Sequence, residues 1–340
     1  MNCNRLNPKL KVLALIGIGL AVVCAGPSAL AASPEGSADA PLGRAESVLI
    51  FSIPTLAWAD VTAEATPHLD ALLRQSVIAD LSVRSVTRDT SATDGYTTLN
   101  SGTRAEGAPE GMLAYLSPEG TLAQQFAVQT GKRPATGEVF NLGLVPVLKI
   151  NESLLYGAEV GALGTALSQA EVSRAVIANG DHSTALGQMT YRREASLGLM
   201  DEHGIIDSGE VGRRLLEDDV RYPFGVRYNN EEVAVSVWSF LKPKSVVLVE
   251  ASDMVRAAQA QLLATTAQQE VIRSQAIAHS DALLGLVLKK VDLSKTAVLV
   301  VAPNAVDDGS SLTVVGIRAP QVQPGLLSSG TTRRAGFVQT

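Results

Sequence analysis

Hydroxyl and carboxyl groups crowd one short stretch, Thr90, Ser91, Thr93 and Asp94, where a helix is predicted to begin near Asp94. The positive end of a helix favours negative charge, so a hydroxyl there could attack phosphate or sulfate once a base or metal takes its proton. Which hydroxyl would do so is open. The plainer reading has Thr93 or Asp94 capping the helix by accepting backbone N–H bonds. Asp253, Asn304 and Asn179-Gly180-Asp181 each follow an apolar run. That is the edge of a sheet where α/β proteins hold ligands, although a plain turn accounts for the last of them. Asp181-His182 and Glu202-His203 are far apart in the chain and form no metal motif by spacing. His279 shares a helical face with Ile272, Ala276, Leu283 and Leu286, the setting of a hydrogen-bonded core or groove imidazole. His68 falls in a first helical turn and reads as solvated. Arg333-Arg334 could grip an anion, but adjacent arginines near a chain end are ordinarily solvated. Trp58 and Trp238 belong to no aromatic cluster and read as packing residues.

Strands and helices alternate to position these groups. Residues 48–53 form a continuous apolar run ended by Pro54, as in a strand buried on both faces. Thr66-Pro67 then opens a helix to about Gln75. The spacing predicts further strands at 81–86, 174–178, 245–251, 297–302 and 313–317, and helices at 151–169, 231–241 and 267–291. This order predicts a doubly wound α/β/α sandwich. Residues 105–147 and 181–228 show Gly and Pro without a sustained period and read as insertions of short hairpins or loops.

The 340 residues, 46% hydrophobic and 18% charged, fit one large globular domain at 47–340. Arg5, Lys9 and Lys11 precede the apolar run 12–23 and then Ala29-Leu30-Ala31, so residues 1–31 read as a signal peptide or an N-terminal anchor. The apolar run is shorter than the roughly 20 residues of a comfortable membrane span, which favours cleavage. Residues 32–46, rich in Ser, Pro, Gly, Ala and Glu, read as a flexible linker. Both cysteines, Cys3 and Cys24, lie in the leader, which excludes disulfides and thiolate metal sites from the exported part. Loss of the leader takes the net charge from −6 to −9, because it holds three basic residues and no acidic one. That balance argues against a nucleic-acid partner and against attraction to anionic headgroups. Membrane proximity is expected only through the N-terminal segment or a further membrane region absent from this sequence.

Several stretches, taken in order, resemble the alkaline-phosphatase-like superfamily, and more closely a bacterial exported or membrane-associated group of it. They are the strand 48–53 with Pro54-Thr55-Leu56-Ala57-Trp58; Thr66-Pro67-His68-Leu69-Asp70-Ala71-Leu72; residues 92–102; Ser280-Asp281-Ala282-Leu283-Leu284-Gly285; Ala302-Pro303; and residues 328–334. The resemblance implies an alkaline-phosphatase-like fold and, in active relatives, two divalent metals held by Asp and His at strand ends beside a Thr or Ser nucleophile. The implied ligands are largely missing here. Pro54-Thr55 stands where relatives carry Asp-Gly, Ala302-Pro303-Asn304 stands where Asp-His is expected, and Asp253 lacks its His because position 257 is Ala. The expectation is therefore a degenerate, non-catalytic domain at the extracytoplasmic face of the membrane or secreted, with no cofactor. Its partner would be a small polar ligand or an envelope protein, and Thr90, Asp94, Asn179 and Asn304 would line its cleft. The alternative is a metal-dependent phosphate- or sulfate-ester hydrolase or transferase. It would use Ser91 or Thr93, with zinc, manganese or calcium on Asp94 and Asp253.

Overall fold

The computed structural model describes residues 45–87, 90–306 and 312–327. The expected signal peptide, most of the expected linker and the stretch 328–340, with Arg333-Arg334, lie outside the described residues. Eight strands form the main sheet: β1 Ser47–Ser52, β2 Val77–Ser82, β3 Ser173–Ile177, β4 Ser208–Glu210, β5 Ser245–Glu250, β6 Thr296–Val301, β7 Leu312–Arg318 and β8 Gly325–Leu326. Their spatial order is β8-β2-β7-β6-β1-β5-β3-β4. Strands β6, β1, β5, β3 and β4 run parallel, whereas β7 is antiparallel to both β6 and β2. The sheet is therefore mixed. β1 lies at its centre, with Ile50 opposite Leu248 on one side and Leu299 on the other. A strand covered on both faces can be apolar at successive positions, and that is why β1, β5 and β6 read as unbroken runs.

The helices are α1 Pro67–Leu73, α2 Ala92–Ser101, α3 Gly120–Thr130, α4 Leu144–Glu152, α5 Ala162–Gln169, α6 Asn230–Phe240, α7 Asp253–Gln261 and α8 Thr266–Leu288. Leu69 of α1, Val233 and Val237 of α6, Met254 of α7 and Leu284 and Val287 of α8 pack with Leu49, Phe51, Val247 and Val249 on one sheet face. Tyr96 of α2, Val147 of α4 and Leu167 of α5 pack with Ile50, Val176, Val246 and Leu248 on the other. Three layers result, with two cores separated by the sheet. This is the doubly wound α/β/α sandwich that the alternation predicts.

Several local expectations are corrected. The helix expected over 151–169 is corrected: residues 151–152 end α4, which starts at Leu144, and α5 begins only at Ala162, after a stretch holding Gly157 and Gly161 at φ +61° and +91°. The strand expected at 81–86 lies earlier, at Val77–Ser82. The segment 105–147 carries a helix, α3, which packs Phe126 onto Phe140 over a three-stranded antiparallel sheet of Ala114–Leu116, Val139–Asn141 and Ile205–Ile206. The segment 181–228 includes β4, the edge of the main sheet, besides the hairpin Leu216–Asp218 with Val226–Tyr228. No helix among the described residues is long and apolar enough to cross a membrane.

Candidate functional site

Parallel strands end together, so Ser52 of β1, Asn179 after β3, Glu250 and Ser252 at the end of β5, and Ala302-Pro303-Asn304 after β6 meet along one carboxyl edge. The backbone ties them. Thr55 N–H donates to the Asn304 carbonyl at 3.1 Å, and Gly95 of α2 lies so close to Pro303 that a Cβ there would sit 2.0 Å from its carbonyl oxygen. Glycine is thus required at that crossing. Pro54, Asn304 and the start of α2 are brought together, as the resemblance implies.

The hydroxyl-rich stretch is a helix cap. Ser91 is the N-cap residue: its Oγ accepts from Asp94 N–H at 3.2 Å, and Asp94 Oδ2 accepts from Ser91 N–H at 2.9 Å. Such a reciprocal box satisfies two backbone donors that the helix leaves open. Ser91 Oγ also donates to Asp94 Oδ2 at 2.8 Å, Thr93 Oγ1 lies 2.7 Å from Ser91 Oγ, and Asp94 Oδ1 accepts from Gly107 N–H at 2.7 Å. Ser91 and Asp94 form the cap: of the two residues expected to cap, Asp94 takes part and Thr93 does not, and the N-cap position itself belongs to Ser91. Thr90 turns away toward Ser85, accepting from its N–H at 3.0 Å. Thr93 and Asp94 are both buried.

Asp253 is likewise engaged on every side. Its Oδ1 pairs with Arg256 and accepts from Tyr228 N–H at 3.1 Å, and its Oδ2 lies 2.6 Å from His279 Nδ1. Burial pushes the Asp253 carboxyl up, but the Arg256 guanidinium and the His279 hydrogen bond outweigh burial and hold the group at about 2, below the usual carboxylate range. His279 in turn meets Arg227 Nη1 at its Nε2, 2.7 Å away. The guanidinium can only donate, so Nε2 accepts, the proton sits on Nδ1, and the ring is neutral. His279 is therefore the hydrogen-bonded groove imidazole that its helical spacing indicates. Arg227 is shared with Glu217 and Asp219.

The other sequence candidates separate. Asn179 is fully buried and holds the turn: its Nδ2 donates to the Val211 and Gly212 carbonyls, and its Oδ1 accepts from Asp181 N–H. Asn304 Oδ1 has no hydrogen-bond partner among the described residues. His182 stacks on Phe224 with ring centroids 4.0 Å apart, and burial lowers its affinity for a proton. His203 sits beside Glu202 in a polar cavity of about 150 Å³, in the turn whose Asp201 reaches Arg174 at the start of β3. His182 and His203 thus lie at opposite ends of β3. His68 is half-exposed rather than simply solvated, with Nδ1 2.8 Å from Asp281 Oδ2. A second cavity, about 360 Å³, opens between Leu73, Ile78 and Leu326. Neither cavity lies at the carboxyl edge.

What occupies that edge is a polar network that the sequence did not announce. Glu250, fully buried, accepts from Tyr96 Oη at 2.7 Å and from Ser252 Oγ at 2.6 Å. Tyr96 Oη also lies 2.7 Å from Ser52 Oγ. Tyr228 Oη lies 2.8 Å from Ser252 Oγ and accepts from Asn179 N–H at 2.8 Å. Burial first, and the neighbouring Glu194 carboxylate second, push the Glu250 carboxyl up to about 7. Glu194, also fully buried, is paired with Arg192 at 2.5 Å. The one available signal for this network is the charge that ends the apolar run of β5.

Divalent metals of the kind the fold resemblance implies do not fit these residues. Pro54 has no donor, Asn304 offers one amide oxygen, and both surviving carboxylates are saturated by guanidinium, imidazole, hydroxyl or backbone N–H groups.

No family model and no curated protein matches the sequence. Solved structures similar to the chain include a protein of the alkaline phosphatase superfamily from Vibrio parahaemolyticus, at 13% identity and a TM-score of 0.44, over 84% of this chain and 62% of that one. Another is the lipoteichoic acid synthase LtaP of Listeria monocytogenes, at 10% identity and 0.45, over 84% and 68%. A third is the alkaline phosphatase of the Antarctic bacterium TAB5, at 11% and 0.41, over 82% and 92%.

Proposed function

We propose that this chain is a non-catalytic α/β module, exported to the cell envelope, kept near the membrane by its N-terminal segment, and acting by binding or as a structural element. One observation carries the reading: Asp253, the best placed carboxylate for a cation, is already paired with the Arg256 guanidinium, hydrogen-bonded to His279 and accepting from Tyr228 N–H. A metal there would have to displace a buried guanidinium and leave it uncompensated, a cost of about 3–5 kcal/mol. The carboxylate beside the Ser91 hydroxyl, Asp94, already accepts from Ser91 N–H, Ser91 Oγ and Gly107 N–H and holds the helix cap, so using it as a base would break the cap. A ligand at this edge would be small and polar; the Asn304 side-chain oxygen beside it is buried and has no hydrogen-bond partner among the described residues.

Purified protein dialysed against zinc, manganese or calcium is expected to retain far less than one ion per chain by elemental analysis. It is also expected to leave nitrophenyl phosphate and sulfate esters intact. Two tightly held ions per chain, with ester cleavage abolished by Ser91→Ala or Thr93→Ala, would instead establish the metal-dependent hydrolase.

A further inference from the structure

At the opposite edge of the sheet the charges are arranged differently. The starts of β1, β5 and β6 lie side by side, and the loops feeding them carry Lys242, Lys244, Lys289, Lys290 and Lys295, all exposed. Apart from Lys132 and Lys149, these are all the lysines of the described residues. Only Lys295 has an ionic partner among the described residues, Glu46 at 3.6 Å. The arginines of the carboxyl edge are by contrast paired: Arg192, Arg193, Arg227 and Arg256 each hold a carboxylate. Unneutralised positive charge is thus gathered on one face of a chain whose net charge is −6. The carboxylates nearby are Glu46 and Asp292, the latter accepting from Ser294. Glu171, Asp201 and Asp207 lie on the β3 flank, where Arg174 takes two of them.

Three further features belong to the same edge. Lys244 keeps a left-handed backbone at φ +60°, where glycine would be at ease, and its main chain is clamped between Glu46 and Ser173. A long cationic side chain is therefore held outward at a strained position. Trp238, Phe240 and Leu293 are half-buried beside the lysines, and Lys290 Nζ lies 4.0 Å from the Trp238 ring centroid. A mixture of ammonium groups and amphipathic rings suits the boundary between headgroups and acyl chains. Finally, the chain enters β1 at this edge: Glu46 N–H donates to the Lys295 carbonyl. Twenty-one residues separate Ala45 from the end of the apolar run at Val23.

We propose that the amino edge of the sheet is a docking surface for an anionic phospholipid bilayer, gripped by Lys242, Lys244, Lys289 and Lys290 beside the point where the N-terminal segment enters the domain. It departs from the expectation drawn from net charge alone, because a surface field depends on where charges sit and not on their sum. The carboxyl edge, with Asn304, would then face away from the membrane. The inference uses the membrane-proximal reading above only for the direction of the chain.

The test is flotation of the full chain with vesicles of phosphatidylcholine alone or with phosphatidylglycerol at about one lipid in three. Each lysine near an anionic surface contributes about five-fold in partitioning. The expected result is at least a ten-fold preference for the anionic vesicles at about 50 mM salt, which closes at about 300 mM as screening grows. Charge reversal in K242E/K244E/K289E/K290E should remove the preference, and K132E/K149E should keep it. Lysines at the ends of α6 and α8 also complement helix dipoles, so the quadruple variant could lose thermal stability; the milder K289Q/K290Q then reads the same preference in folded protein. Equal binding to both vesicle types overturns the proposal, as does an unchanged preference in the variants, or binding of soluble polyphosphate without anionic vesicles.

Discussion

Glu250 shows how far a buried setting can move one group. An acid whose folded pKa is raised opposes folding when it ionises. Its destabilising effect is absent below the unfolded value near 4.5 and grows as pH rises to about 7. The difference amounts to about 3 kcal/mol, and Glu250→Gln is expected to remove most of it. Urea unfolding at pH 5 and pH 8 should show wild-type stability falling relative to the variant, and parallel curves would reject the assignment. Asp253 has the reverse sign, with a pKa lowered to about 2, so the stability it confers is present at neutral pH and is lost as the solution becomes strongly acidic. Asp253→Asn leaves Arg256 buried without its counter-charge and is expected to cost about 3–5 kcal/mol by denaturant titration. These roles were only partly legible. Asp253 stands out after an apolar run, whereas Arg256, His279 and Tyr228 reach it from three separate segments whose meeting no spacing rule reveals.

At the scale of elements, the crossing of α2 over the end of β6 is set by a missing side chain. Gly95 would ordinarily weaken a helix by about 1 kcal/mol relative to Ala, yet here Gly95→Ala is expected to destabilise by about 2–3 kcal/mol. The Pro303 carbonyl occupies the space a methyl would need. Thermal denaturation decides: a more stable variant would place α2 farther from the sheet. Thr55 gives the converse. It follows Pro54 at φ +60°, held by Arg273 through its carbonyl at 2.8 Å. Thr55→Gly should relieve the backbone and raise stability by about 0.5–1 kcal/mol. The central strands were readable because burial on both faces leaves only apolar residues, as in β1, β5 and β6. The division between α4 and α5 was not, because Leu154 and Leu155 continue a helical spacing, although Leu155 is fully exposed in the turn between the two helices. The edge strand β4, Ser-Gly-Glu, carries no apolar pattern to read.

Across the whole molecule, the two ends of the parallel strands are built on different chemistry. One is a closed network in which guanidinium groups meet carboxylates inside the protein, and the other presents to the outside ammonium groups of which only Lys295 has an ionic partner among the described residues. Composition alone gave the sum and so missed the division. The small antiparallel sheet joins the main body through Arg193, which pairs with Asp181, donates to the Ala114 carbonyl at 2.7 Å and lies between the rings of Tyr115 and Tyr191. Arg193→Ala is expected to raise amide hydrogen exchange across residues 114–141 well before the main sheet exchanges, as measured by mass spectrometry. Uniform exchange across both parts would make the joint irrelevant.

Sealing Glu250 behind Tyr96, Ser252 and Tyr228 has a kinetic side. Donors already occupy both of its oxygens, so an arriving proton must turn a hydroxyl around: Tyr96 would give up its bond to Glu250 and point instead toward Ser52. No water-filled route is needed for that reversal, but the proton itself must cross the packed layer during a transient opening. A stopped-flow jump from pH 8 to pH 5 should therefore leave Glu250 lagging behind the bulk, with a relaxation paced by breathing of the sandwich rather than by diffusion of protons.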